Sequence, residues 1–301
     1  MNILLLGANG QVGWELQRSL MPLGHLTICG RHEADFEDLN SLRTLVRQLK
    51  PHIIVNAAAY TAVDKAETNA KTAQRINAEA VEVLAAETKK LNALLIHYST
   101  DHVFDGNKVD DYNEQDEANP RNVYGQTKLE GELAIQASGC NHLIFRTTWI
   151  YASRGTNFMR TILRLAQEQE KLTIVADQIG APTSAELVAD ITALAIHQIN
   201  ERPNTAHEYN GVYHLSASGQ TSWHGFAKHI IEKADSLGLP LKTTLNNISP
   251  ITTGDYPLPA LRPASSLLNT NKLCDRFGIR LPHWEGQVNR VLTAFLQQGI
   301  V

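Results

Sequence analysis

Tyr124 and Lys128 stand four residues apart, a spacing that lays both side chains on one face of a helix. A phenol beside an ammonium is a proton source for the reduction of a ketone. Free tyrosine titrates near ~10, and a fixed positive charge is expected to pull that value down toward working pH. Thr100, in the run Tyr98-Ser99-Thr100-Asp101, completes the set if its hydroxyl reaches the same carbonyl oxygen. The spacing alone is a weak signal, because helices carry Tyr and Lys four apart by chance on solvated faces. What gives it weight lies upstream.

Asn2 to Leu6 is a short, continuous apolar run, the pattern of a strand buried on both faces. Gly7-Ala-Asn-Gly10-Gln-Val-Gly13 follows, and then Trp14 to Leu20 reads as an amphipathic helix. Strand, glycine turn and helix in that order are the context of a dinucleotide site. One glycine makes the turn, one admits a pyrophosphate close to the backbone, and one lets helix pack on strand, with the diphosphate at the helix N-terminus.

The second strand, His25 to Cys29, ends in Gly30-Arg31-His32. An acidic residue at this strand end takes the ribose hydroxyls of NAD. Here Gly30 leaves room and Arg31 supplies charge for a 2′-phosphate, so NADPH is the expected cofactor, with NADH as a second choice. Arg31 read blandly is a solvated loop residue, with Glu33 and Asp35 close by; Asp35-Phe36 could flank the adenine. A helix from Leu42 to Leu49 leads to a third strand, Ile53 to Val55, and then to Asn56-Ala57-Ala58-Ala59-Tyr60-Thr61. Small side chains at a strand's carboxyl end let a nicotinamide ribose lie against the backbone. Thr61 and Asp64 resemble a capping box, opening one helix that runs to Leu91. Strand four, Ala93 to Tyr98, delivers Ser99-Thr100-Asp101. Alternating strands and helices over the first 130 residues predict an α/β fold with a doubly wound parallel sheet. The special residues all fall at strand carboxyl ends or helix starts, where such sheets bind ligands.

With 301 residues, 43% hydrophobic and 19% charged, the chain can bury an ample core. A formal charge of −4 gives no basic footprint for nucleic acid. Cys29, Cys140 and Cys274 have neither metal nor disulfide spacing and suit a reducing cytoplasm. No apolar run approaches the roughly 18 residues of a membrane span, and the twelve histidines show no zinc pattern.

The sequence resembles the extended short-chain dehydrogenase/reductases and, among them, the dTDP-4-dehydrorhamnose reductase family. The resemblance runs from Met1 to about Leu292. It is carried by Gly7 to Gly13 with Trp14-Glu15-Leu16, by Val55-Asn-Ala-Ala-Ala-Tyr-Thr-Ala-Val-Asp-Lys-Ala-Glu67, and by Tyr98 to Phe104. Asn122 to Lys128, Phe145-Arg-Thr-Thr-Trp-Ile-Tyr151, Asp177-Gln-Ile-Gly-Ala-Pro-Thr183 and Arg262-Pro263 continue it. It implies reduction of the C4 ketone of dTDP-4-dehydro-L-rhamnose to dTDP-L-rhamnose, a precursor of cell-surface polysaccharide. On it Tyr124 gives a proton to the C4 oxygen, Lys128 holds the nicotinamide ribose and lowers the Tyr124 pKa, and Thr100 hydrogen-bonds the ketone. Gly10, Gln11 and Val12 would meet the diphosphate, Ala58, Ala59 and Thr61 the nicotinamide half, and Asp101 and Trp149 the sugar nucleotide.

The chain departs from the family pattern at His102, where Tyr is usual, at Tyr60, where His is usual, and at Ala264 in place of Asn. Some members hold Mg²⁺ between subunits through three glutamates. Glu15 and Glu186 match two, but the third position falls near Ala294, so no metal is expected and both glutamates are read as solvated helix surface. Two other readings stay open: a 4,6-dehydratase or epimerase on the same scaffold, and a non-catalytic dinucleotide-binding subunit. His102 stands where a dehydratase would carry its second acid, and the Thr100/Tyr124/Lys128 set argues against a binding subunit.

Beyond Leu143 to Arg146, another buried strand, the expected order is helix (Asn157 to Ala166), strand (Leu172 to Val175), turn (178–183), helix (Ser184 to Ile199) and strand (Val212 to Leu215). From about Ser216 prolines and short helices are expected. Residues 1–147, with returning segments near 171–200 and 211–216, are read as the dinucleotide-binding domain. Residues 148–170 and 217–301 are read as a smaller lobe over the nucleotide-sugar half. Trp149 is either a core aromatic or pocket lining. Arg262 is a candidate diphosphate clamp or a surface arginine, and Tyr256 to Pro259 either covers the pocket or connects. A cytoplasmic monomer or homodimer taking a dTDP-sugar, without membrane or nucleic-acid partners, is the reading as a whole.

Overall fold

The computed structural model describes residues 1–202 and 207–297. A six-stranded parallel sheet forms its centre, built from β1 (Asn2–Leu6), β2 (His25–Cys29), β3 (Ile53–Asn56), β4 (Leu94–Thr100), β5 (Asn141–Thr147) and β10 (Gly211–His214), in the order β10-β5-β4-β3-β1-β2. The apolar runs read as strands are strands because both faces are covered. Ile3 and Leu5 pack into one buried layer and Leu4 and Leu6 into the other, as the two-residue repeat of a strand demands.

Helices α1 (Gln11–Leu20) and α8 (Ala185–Asn200) cover the first face; α2 (Leu39–Leu49), α5 (Ala80–Leu91) and α6 (Val123–Ser138) cover the second. Side chains start several of these helices by accepting a free backbone N–H: Asp38 for α2, Asn122 for α6 and Ser184 for α8. The chain runs from β1 outward to β2, then returns across β1 to β3. The order therefore switches between β1 and β3, which opens a crevice at their carboxyl ends.

Two local expectations fail. The helix expected to run unbroken to Leu91 is three pieces: α3 (Val63–Ala66), α4 (Ala70–Gln74), and α5, entered through a π-helical turn over Arg75–Glu79. The wide turn places Asn77 inward, where its amide bonds both the N–H and C=O of Tyr60 and the Thr127 hydroxyl. Nor is the C-terminal third made of short helices alone: α9 (Trp223–Ser236) and α11 (Trp284–Gln297) are 14 residues each. Their buried faces, Phe226, Ile230 and Ile231 on one and Val288, Val291 and Leu292 on the other, join the first core.

The remaining strands make small ladders: β7 (Leu172–Val175) with β12 (Ile248–Ile251), β8 (Ile179–Gly180) with β11 (Thr221–Ser222), and β6 (Ile150–Tyr151) with β9 (Thr183–Ser184). The segment 178–183, read as a turn, thus contributes two short strands. Helix α7 (Phe158–Glu168) packs beside α9, and α10 (Asn271–Phe277) lies against β10.

Candidate active site

Gly7 leaves β1 with φ +76°, a backbone geometry that a Cβ strains, and a Cβ there would stand 2.4 Å from the Ala58 nitrogen. At Gly13 a Cβ would stand 2.1 Å from the Gly7 carbonyl oxygen. Only glycine lets the turn, the β3 end and α1 approach this closely, so the cradle expected for a diphosphate is formed by Gly7, Gly10, Gln11, Val12 and Gly13 at the start of α1. Gly10 is exposed, Gln11 and Val12 half-buried. Gln11 is tied across the crevice: its Oε1 accepts from Asn157 Nδ2 at 2.9 Å, and the Arg154 guanidinium stacks over Trp14, 3.5 Å from the ring centroid.

At the end of β2, Gly30 donates its N–H to Glu33 at 2.9 Å, and the exposed Arg31 pairs with Glu37. The place expected for a 2′-phosphate therefore holds a carboxylate and an already partnered cation. Phe36 is 4% exposed and packs into the core with Leu4, Leu6 and Leu42. Asp35 caps its own turn through the Glu37 N–H. Along the β3 end, Ala58 and Ala59 are half-buried and Thr61 is exposed.

Asp64 corrects the capping reading. No side chain caps α3; Asp64 instead accepts from Arg262 at 2.7 Å and from the Ala260 N–H at 3.3 Å. Asn122 performs two tasks at the same mouth. Its Oδ1 caps α6 through the Gly125 N–H, and its Nδ2 reaches the Leu261 carbonyl (2.8 Å) and His102 Nδ1 (2.9 Å). Residues 260–262 are thus strapped to α3 and to the start of α6, with Tyr256 and Leu258 exposed beside them. Burial lowers the Arg262 pKa, opposed by Asp64, Asp101 and Glu67; all four charges share one neighbourhood.

Tyr124, half-buried on α6, lies in the electrostatic neighbourhood of Thr100 and Asp101. The His102 ring meets it edge to face, with centroids 5.4 Å apart. Thr100 donates to Asp101 Oδ1 at 3.0 Å and accepts the His102 N–H at 3.1 Å. Asp101 Oδ2 is buried with no partner, an oxygen ready for a ligand hydroxyl. The Tyr124 pKa is pushed up to about 12, chiefly by burial, with Thr100 drawing it down and Asp101 raising it. This reverses the expected downward pull. Lys128 lies at the back: its Nζ donates to the Tyr98 carbonyl at 2.6 Å and touches His97 Nε2 at 3.1 Å, and burial lowers its pKa to about 8.

Trp149 follows β5 with φ +45°, a left-handed geometry that costs a bulky residue about 1–3 kcal/mol. Its ring stacks on Trp223 with centroids 3.5 Å apart. A Cβ on Gly180 would stand 2.4 Å from Cε2 and 2.8 Å from both Cζ2 and Nε1. Trp223 therefore covers one face of the indole, and Gly180 approaches it closely enough that only a glycine fits there. Trp223 is held in turn by Gln178 at 3.1 Å.

The fold withdraws Glu15 from solvent and leaves Glu186 half-buried. Glu15 is buried, and its pKa is raised by burial and by Glu186; Glu186 is paired with Arg290. An arginine thus neutralises this corner. Among the described residues no group of three or more His, Cys, Asp or Glu is gathered as a metal site, and no helix is long and apolar enough to cross a membrane.

Residues 1–297 match the family described as RmlD substrate binding domain. The chain belongs to the RmlD substrate-binding-domain family. It is 49% identical to a dTDP-4-dehydrorhamnose reductase of Burkholderia thailandensis over 99% of this chain and all of that one. It is also 49% identical to the Escherichia coli K12 protein of the same name, over 97% of each chain. In solved structures, the Bacillus anthracis dTDP-4-dehydrorhamnose reductase in complex with NADP superposes with a TM-score of 0.87, at 32% identity over 97% of this chain and 99% of that one. The Rossmann-type sheet, the glycine turn and the Tyr124/Lys128 helix are thus those of an RmlD-family chain. Spacing did not single out Asn56, His97 or Asp64 as site residues. Asn122, quoted only within a motif, carried one usable signal: an asparagine three residues before a helical glycine is a capping pattern.

Proposed function

We propose that the chain reduces the C4 ketone of dTDP-4-dehydro-L-rhamnose to dTDP-L-rhamnose, using NADPH and, less well, NADH. The observation that carries this reading is the gathering of the Tyr124 phenol with Thr100 and a partnerless Asp101 oxygen, in a family whose close relatives bear that activity's name. The Gly7–Gly13 cradle and the β3 end fit a dinucleotide, which when bound supplies the hydride. Tyr124, protonated at neutral pH because burial raises its pKa, gives its proton to the C4 oxygen as the carbonyl becomes an alcohol. Thr100 holds that oxygen, and Asp101 accepts from a sugar hydroxyl. Trp149 bounds the sugar. Lys128, a cation below its pKa of about 8, holds the ribose from behind. The sugar nucleotide lies against the lobe of residues 148–170 and 217–301, in a cytoplasmic monomer or homodimer.

NADPH oxidation by the purified protein offered dTDP-4-dehydro-L-rhamnose, with the product identified by NMR, tests the reading. Oxidation giving the rhamnose configuration is expected. Cofactor binding without oxidation would move the reading to another 4-keto sugar, shaped by His102 and Tyr60.

Arg262 is proposed to leave Asp64 for the substrate diphosphate. Arg262→Ala removes a charge-assisted contact of about 1.5–3 kcal/mol, so the KM for the sugar nucleotide should rise roughly tenfold to a hundredfold with kcat little changed. Equal losses in both would make Arg262 a positioning group for the reacting atoms. Arg31→Ala should weaken NADPH more than NADH in a titration of cofactor fluorescence; equal weakening would refute the 2′-phosphate assignment.

A further inference from the structure

Behind the catalytic helix a hydrogen-bonded chain crosses three elements: the Ala58 N–H and Asn56 on β3, His97 on β4, and Lys128 on α6. Asn56, His97 and Lys128 are each at most 1% exposed. Ala58 donates its N–H to Asn56 Oδ1 at 3.1 Å, Asn56 Nδ2 lies 3.1 Å from His97 Nδ1, and His97 Nε2 lies 3.1 Å from Lys128 Nζ. Asn56 and His97 are register partners across the sheet.

The donor and acceptor roles along this chain are not free. A backbone N–H only donates, so it fixes the Asn56 oxygen toward Ala58 and the NH₂ toward His97. An amide NH₂ only donates, so His97 Nδ1 accepts, and a neutral imidazole then carries its proton on Nε2. That proton points at Lys128 Nζ, which can accept it only as a neutral amine. An ammonium at Lys128 requires the reverse pattern: proton on His97 Nδ1, Asn56 turned over, and the Ala58 N–H released. Ala58 lies against Gly7 at the β1–β3 crevice, where a cofactor atom can take that N–H.

We propose that Asn56 and His97 are positioning residues that form a two-state tautomer switch, coupling the charge on Lys128 to the availability of the Ala58 N–H in the cofactor crevice. The other groups facing the chain are few. Glu132, one turn beyond Lys128 on α6, is bound to Arg146 of β5; Tyr98 of β4 offers its carbonyl to Lys128; and Tyr124 lies one turn before it. Burial and Lys128 together keep His97 neutral, its pKa well below the usual histidine value, so the switch moves one proton between ring nitrogens rather than adding one. Its catalytic consequence rests on the reductase reading above; the switch itself does not.

The test is ¹⁵N NMR of histidine-labelled full-length protein across a pH titration, paired with the pH profile of kcat. The His97 proton should sit on Nδ1 at low pH and move to Nε2 as Lys128 loses its charge, with the same midpoint as the alkaline fall in kcat. Asn56→Asp offers two acceptor oxygens in the same shape and so satisfies Ala58 and a Nδ1–H tautomer together. It should hold that tautomer throughout and move the alkaline limb up by about one pH unit or more. A single wild-type tautomer across the range overturns the switch, as does an Asn56→Asp limb that stays in place. Tautomer exchange in a protein without ketone reductase activity would support the switch and fault the functional reading instead.

Discussion

Replacing Tyr124 with phenylalanine should lower kcat by about 10²–10⁴-fold, the usual worth of a positioned proton donor, while leaving NADPH affinity unchanged. Phenylalanine keeps the ring that packs edge-on against His102 and removes only the hydroxyl. The measurement is NADPH oxidation under saturating sugar nucleotide, with cofactor binding followed separately by fluorescence. Unchanged turnover would remove Tyr124 from the chemistry; lost cofactor binding would make it a structural residue of the crevice. The pH profile follows from the same site. Tyr124, raised to about 12, stays protonated through the neutral range. Lys128, lowered to about 8, holds its charge below that value and loses it above. Activity is therefore expected to fall on the alkaline side near pH 8 through Lys128.

Glu132→Ala should destabilise the fold by about 3–5 kcal/mol, because it strands a buried guanidinium. Arg146 Nε lies 2.9 Å from Glu132 Oε1, its NH2 nitrogen lies 2.6 Å from Oε2, and both side chains are withdrawn from solvent at 0% and 6% exposure. Phe104 packs below the guanidinium at 5.0 Å, and the NH1 nitrogen already lacks a partner, so nothing nearby takes over the carboxylate's role. A urea titration read by circular dichroism would measure the loss. A change below about 1 kcal/mol would mean that water reaches Arg146 once the carboxylate is gone.

The parts of the molecule legible in its sequence are those governed by short-range periodicity. Asn2 to Leu6 had to be a doubly buried strand, and the glycines after it had to turn, because no other placement satisfies both patterns. Tyr124 and Lys128 share a helix face for the same reason. Asp64 shows where such reasoning stops. Thr61 and Asp64 fit a local capping pattern, but the partner that wins is Arg262, 198 residues away, and only tertiary packing brings it there. The π turn at Arg75–Glu79 escaped notice similarly, since Asn77 is turned inward by the Tyr60 backbone and Thr127 rather than by its helical neighbours. Asp35-Phe36 read as a pair that could flank the adenine, and the Phe36 ring lies in the core, because strand-end position cannot tell which way a ring points. The pull expected of Lys128 on Tyr124 depended on spacing alone. Its amine is spent on Tyr98 and His97, and burial governs the phenol.

The hydrogen bond from Asn157 to Gln11 spans 146 residues and joins the start of α7 to the glycine turn proposed to cradle a diphosphate. Asn157 is also the cap of α7 and a ligand of the Ala152 and Arg154 carbonyls, so Gln11 cannot be repositioned without disturbing the loop beside Tyr151. On the proposed reading thermodynamic linkage then applies: where a dinucleotide and a sugar nucleotide favour the same Gln11–Asn157 geometry, each strengthens the binding of the other by the same factor. On that reading the two ligands are coupled before any chemistry between them begins.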